Sequence, residues 1–127
     1  VLVITSGWNG GSNIFGHEAL AFTGQGVYSY GTKDLYGSST TDYLNSQISN
    51  RDVTITILKT TAEQEKMMID YYNKNYGSRS KYSATSNNCA NAAAGALSDA
   101  GAIGPLLITD LTHPMMSNGG LRISQGR

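Results

Sequence analysis

The chain has 127 residues, the size of one domain, with 39% hydrophobic and 14% charged residues and nine basic side chains balancing nine acidic ones. Zero net charge leaves no basic patch for a phosphate backbone, so no nucleic-acid partner is expected, and no apolar run approaches the roughly 18 residues that would span a membrane. One cysteine rules out an internal disulfide and a CxxC site, and two histidines add no metal-ligand spacing, so no metal and no cofactor is expected.

In chain order, Val1 to Thr5 is a continuous apolar, β-branched run and predicts a buried strand. The segment from Ser6 to Asn13 is loop chemistry around one large aromatic, Trp8. A hairpin follows, with strands over His17–Thr23 and Gly26–Gly31 and a tight two-residue turn at Gly24-Gln25. Thr32 to Thr41 is polar loop, and Asp42 to Ser49 suits a short helix. Asp52 to Lys59 alternates strictly, with Val53, Ile55 and Ile57 on one face, which predicts a half-buried strand.

Thr61 with Gln64 three residues later is a capping box. The helix it opens runs to about Asn75, with Met67, Met68, Tyr71 and Tyr72 forming one stripe, and Gly77 stops it. Ser78 to Asn88 is a polar loop. A second helix starts at Asn87 or Asn88, either a good N-cap, and ends at Ala100 with Gly101 beyond it. Its side chains are mostly small, which suits close approach to another element. Pro105 to Arg127 holds a short apolar piece and then a polar tail. No repeat or linker divides residues 1–127, so a single domain is expected.

Cys89 stands at the start of that small-residue helix. Orphan N–H groups and the macrodipole there favour an anion, lowering a thiol from its usual pKa of about 8.5 and stabilising an oxyanion beside it. A lone cysteine is, equally, a common inert core residue. His17 opens the first hairpin strand, where an imidazole makes a well-positioned base. Ser29 returns on the second strand beside it, where a hydroxyl can fix the imidazole's tautomer. His113 precedes Pro114 and reads as a loop histidine. Glu18 should point to the sheet face opposite His17.

These residues bear a resemblance. The stretch from His17 to Ser29, HEALAFTGQGVYS, resembles the histidine hairpin of NlpC-type papain-like hydrolases, and Asn88-Cys89 resembles the start of their nucleophile helix. Histidine precedes cysteine, which is similar to the circularly permuted branch. The order GHEALAF, YSYG, an alternating strand, TAEQEK and NNCANA is most similar to C-terminal toxin domains of bacterial Rhs-type polymorphic effectors, over roughly residues 15 to 103. The family often carries His, Asn or Gln at the third position, where this chain has Ser29.

The resemblance implies an α+β fold, a small antiparallel sheet with the cysteine helix packed on it. It implies a secreted, delivered effector domain, the C-terminal fragment of a larger polypeptide, acting in the periplasm or cytoplasm of a target cell. The expected function is a cysteine hydrolase that cleaves an amide or (thio)ester through a thioester. Cys89 is its nucleophile, His17 its base and Ser29 the orienting residue; Tyr28 or the Trp8–Ser12 loop lines the cleft. A peptide, amide or acyl substrate and a cognate immunity protein are the partners implied. Three rivals stand beside it: a non-catalytic binding module using Trp8 and the tyrosines, an acyltransferase with the same dyad, and a structural domain in which Cys89 is core.

Overall fold

The computed structural model describes residues 1–7, 17–32, 34–77 and 88–102, and the backbone of 121–126. The elements run β1 (Leu2–Ser6), β2 (His17–Phe22), β3 (Gly26–Tyr28), α1 (Thr40–Asn50), β4 (Val53–Leu58), α2 (Ala62–Tyr76), α3 (Cys89–Asp99) and β5 (Leu121–Gly126). The chain is a mixed α+β domain. Its sheet has the order β3-β2-β1-β4-β5. Neighbours among the first four strands are antiparallel, while β5 lies parallel to β4 with Val53 opposite Leu121. Residues 121–126 thus form an edge strand, where the sequence reads as a polar tail.

All six residues of β2 are buried, because the strand has β1 and β3 as neighbours and helices over both faces. Alternation then divides its side chains. Leu20 and Phe22 pack with Val3, with Met68 and Tyr72 of α2, and with Ala92, Ala93, Ala96 and Leu97 of α3. Ala19 and Ala21 pack with Ile4, Val27, Val53 and Ile55, covered by Tyr43 of α1. One helix covers one face and two cover the other.

Local chemistry explains the ends. Thr61 and Gln64 close the expected capping box on α2. Asn88 closes a second one on α3 with Asn91, each side chain bonding the other's backbone N–H. Helix α1 begins earlier than expected, at the Ser39 cap. In α2, Met68 and Tyr72 form the buried stripe, while Met67 is 44% exposed and faces solvent, correcting the four-residue stripe read from the sequence. The close approach expected of α3 is visible at Gly95, where a Cβ would lie 2.2 Å from the Tyr71 hydroxyl.

The hairpin turn is one residue longer than predicted, since Phe22 pairs with Gly26 across Thr23-Gly24-Gln25. Both Gly24 and Gly26 have positive φ, at 69° and 78°. They differ in surroundings. A Cβ on Gly24 meets nothing within 4 Å, whereas one on Gly26 would lie 2.5 Å from the carbonyl oxygens of Gly37 and Ser38. There the returning loop bonds the outer edge of β3, through Val27 N–H to Ser38 O at 2.9 Å and Gly37 N–H to Val27 O at 2.9 Å. Urea unfolding should therefore separate two alanine substitutions. Gly24→Ala is expected to cost about 1–2 kcal/mol for the left-handed backbone alone, and Gly26→Ala clearly more, because backbone has to move as well.

Candidate functional site

The β2–β3 register places Leu20 opposite Tyr28 and Ala21 opposite Val27. Continued by one residue, it sets Ser29 across from Ala19, on the same face as His17 and diagonal to it. The two side chains meet: His17 Nε2 lies 2.6 Å from Ser29 Oγ, and both residues are buried. Thr32 Oγ1 donates to Ser29 Oγ at 3.1 Å, so the serine is itself held.

Four further polar groups gather at this end of the sheet. Ser6 stands opposite His17 on β1, fully buried, its hydroxyl without a hydrogen bond. The Tyr43 hydroxyl of α1 is buried beside Ser29, close enough to sense it but not aligned as a full hydrogen bond. Arg51 follows α1, donating from Nη1 to Gly7 O at 3.3 Å while its buried Nε bonds nothing. Asp34 acts on both His17 and Tyr43. Tyr43, Arg51 and Asp34 carry no signal in the linear sequence, because their relevance comes only from where α1 and its flanking loops fold back.

Burial decides the charge state of the imidazole. Desolvation, with the Arg51 guanidinium adding to it and Asp34 opposing, holds His17 down to about 4. The ring is therefore neutral near pH 7, in the protonation state of a base. Tyr43 is pushed up to about 12, chiefly by burial, with Asp34 and Cys89 adding and Ser29 and Arg51 opposing.

Cys89 is the first residue of α3 and 3% exposed. The Gln64 side chain donates to Ala100 O, and Glu65 accepts from Thr23 N–H. These bonds tie the C-terminus of α3 to the end of β2 at Phe22. Eleven residues of helix, about 16 Å, then carry Cys89 back toward the end of the sheet where His17 stands. The layers differ, however. The apolar contacts of α3 lie on the face of Leu20 and Phe22, which also receives Glu18, whereas His17 has the parity of Ala19 and Ala21. The thiol acts electrostatically on Tyr43 of one layer and on Tyr72 of the other, while the charged groups that act on His17 are Arg51 and Asp34. His17 and Ser29 are thus in direct contact, and Cys89 opens a helix of the opposite layer.

Glu18 is 1% exposed, accepts from Thr5 Oγ1 at 3.2 Å, and has no partner for Oε2. Tyr72, fully buried on the same side, likewise has an unpaired hydroxyl. Tyr28 is 8% exposed and stacks on Tyr36 with ring centroids 4.8 Å apart, inside the core. Tyr28, Tyr30, Tyr43 and Tyr72 are all buried, which withdraws them from the carbohydrate- or peptide-binding surface that the rival module requires. Ser6 of the expected loop belongs to β1, whereas Trp8 to Asn13, Asn87 and His113 lie outside the described residues.

Among the described residues no helix is long and apolar enough to cross a membrane, and no group of three or more His, Cys, Asp or Glu could hold a metal ion. Compared with models of protein families, with curated proteins and with solved structures, the chain matches none.

The two buried ionisable residues of β2 make stability depend on pH in opposite senses. Glu18 is pushed up to about 8 by burial, against the Thr5 hydrogen bond. The folded chain keeps a proton there that the unfolded chain has lost, so stability falls as pH rises from 4.5 to 8. His17 is the reverse: the unfolded chain binds a proton that the fold excludes, so stability is lost as pH falls from 6.5 to 4. Below pH 6.5 the effects oppose each other, and above it Glu18 acts alone. Denaturant titrations should show wild-type stability falling by about 2 kcal/mol between pH 6.5 and 8, at about 1.4 kcal/mol per unit, and Glu18→Gln should flatten that decline.

Proposed function

We propose that this chain is a cysteine hydrolase of the NlpC-type papain-like kind, with Cys89 as nucleophile, His17 as base and Ser29 as the residue that orients it. The observation that carries the reading is the buried 2.6 Å contact between His17 Nε2 and Ser29 Oγ, at the end of the sheet toward which α3 carries Cys89. With Nε2 engaged by the serine, Nδ1 is the nitrogen that exchanges the proton. A neutral imidazole takes the thiol proton as Sγ bonds to the substrate's carbonyl carbon. Collapse of the adduct breaks the bond to the amine, alcohol or thiol leaving group, which receives that proton from His17. Water then adds to the thioester, giving a proton to His17. The C–S bond breaks, the acid leaves, and the proton returns to sulfur. The dipole of α3 favours the negative charge that passes through each adduct. The substrate class is an amide, ester or thioester; delivery as a bacterial effector, with an immunity protein as partner, belongs to the same proposal.

The 3% exposure of Cys89 favours a second reading, in which the thiol is core and the domain is structural. Thiol alkylation decides between them. An activated Cys89 reacts with iodoacetamide near pH 6 much faster in the folded chain than in the denatured one, and His17→Ala removes the difference. Equal rates, or slower reaction in the folded chain, would identify an inert thiol. On a turned-over substrate, Cys89→Ala abolishes activity and His17→Ala lowers it on the order of 10²–10⁴-fold. Ser29→Ala lowers it by roughly 3–10-fold, the worth of one neutral hydrogen bond. Because His17 stays neutral down to about 4, the acid limb of kcat/KM should fall well below pH 6.5.

A further inference from the structure

A hydroxyl that orients an imidazole is ambivalent. It can accept from Nε2–H or donate to a bare Nε2, and the two choices leave opposite ring nitrogens with the proton. Here the neighbours of Ser29 bear on the choice. Ser29 Oγ stands 2.6 Å from His17 Nε2 and receives the Thr32 hydroxyl at 3.1 Å, closer than the Ser29 carbonyl oxygen at 3.4 Å. Thr32 is itself aligned, since its Oγ1 accepts the Asp34 N–H at 3.3 Å. Beside the serine is the Tyr43 hydroxyl of α1, buried and without a full hydrogen bond. One turn further along α1, at the i, i+4 spacing where helix side chains meet, Gln47 holds a buried Oε1 that likewise has no partner. That oxygen can only accept, whereas the Tyr43 hydroxyl can donate and accept.

If Tyr43 donated to Ser29, Tyr43 and Thr32 would fill both lone pairs of the serine. Its hydrogen would then go to Nε2, leaving the imidazole proton on Nδ1, and Gln47 Oε1 would stay unmet. If Tyr43 instead donates to Gln47, its own oxygen is open to the Ser29 hydrogen, and the serine offers Nε2 only a lone pair. The second arrangement satisfies both of the buried oxygens that α1 brings, and buried polar atoms are rarely left bare. We propose that Tyr43 and Gln47 are positioning residues that set the His17 tautomer: a hydrogen-bond chain from Ser29 through Tyr43 to Gln47 keeps the proton on Nε2 and the lone pair on Nδ1. The tautomer stands on this arrangement alone; its use, presenting Nδ1 to the Cys89 thiol, rests on the hydrolase reading.

Two readouts keep those claims apart. In the first, the full chain is labelled with isotopic histidine, and the ring nitrogen chemical shifts report the tautomer. The chain has two histidines, so His113→Gln assigns the signals. His17 stays neutral down to about 4, so spectra near pH 7 read its tautomer directly. Nε2–H is expected to dominate in the wild type. Tyr43→Phe removes the outlet for the Ser29 hydrogen, and Gln47→Leu frees the Tyr43 hydrogen to turn to Ser29. Each should move the tautomer ratio toward Nδ1–H by roughly fivefold, the worth of one neutral hydrogen bond. Thr32→Val takes a donor from the serine but leaves its outlet, and should retain Nε2–H. Loosened packing alone would not sort the three variants in this way. Dominant Nδ1–H in the wild type, or a ratio unmoved by Tyr43→Phe and Gln47→Leu, overturns the proposal. The second readout is the alkylation rate of Cys89 by iodoacetamide near pH 6. A slower rate in Tyr43→Phe, in step with the tautomer shift, supports Nδ1 as the base. A shifted tautomer with an unchanged rate supports the hydrogen-bond chain and sinks the pairing of His17 with Cys89.

Discussion

Burial of β2 on both faces is the constraint from which the rest of the molecule follows. A strand covered on both sides has no solvent-facing position for a polar side chain, yet this one opens with His17-Glu18. Alternation sends the imidazole into the α1 layer and the carboxyl into the α2–α3 layer. Each is stripped of water, and each adopts its neutral form for that reason. The fold carries two buried ionisable groups back to back through one strand. Among the described residues neither has an ion-pair partner, so burial alone sets each one's charge state to first order.

That arrangement sets the electrostatics of the proposed chemistry. A preformed thiolate–imidazolium pair requires a charged ring, and the surroundings of His17 oppose that charge through desolvation and Arg51. The proton is therefore expected to move during attack rather than before it. The hydrogen bond from His17 to Ser29 fixes the ring while this happens, and the Thr32 bond fixes the serine.

Sequence patterning reads well wherever the deciding interaction is local. Thr61 with Gln64 and Asn88 ahead of Cys89 mark helix starts because the cap and its partner lie within one turn. The contact of His17 with Ser29 follows from a hairpin, in which turn length and strand period fix what lies opposite what. The face, however, depends on the extra turn residue: a two-residue turn at Gly24-Gln25 would pair Ser29 with Leu20, opposite the His17 face, whereas the observed register sets Ser29 across from Ala19. What one dimension conceals is long-range. Strand β5 pairs with β4 across more than sixty positions, and its partner is set by the sheet edge left open, not by its own composition. The layer that receives α3 is likewise a long-range outcome, for which residue spacing carries no signal. Tyr43, Arg51 and Asp34 are invisible for the same reason.

Small side chains along α3 are by themselves a poor argument for catalysis. Gly95 faces Tyr71, and Ala92, Ala93 and Ala96 lie against the core, so close helix packing accounts for much of that composition. Unpaired polar atoms discriminate better. Among the described residues six buried side-chain atoms have no hydrogen bond. Two, on Glu18 and Tyr72, belong to the α2–α3 layer. The other four, on Ser6, Tyr43, Gln47 and Arg51, belong to the α1 layer around His17 and Ser29. Each such atom costs about 1–3 kcal/mol when nothing meets it, and a packing core has no use for four together. Buried donors and acceptors left unmet among the described residues, gathered around a neutral imidazole, set this layer apart from the α2–α3 layer as the one where polar chemistry is concentrated.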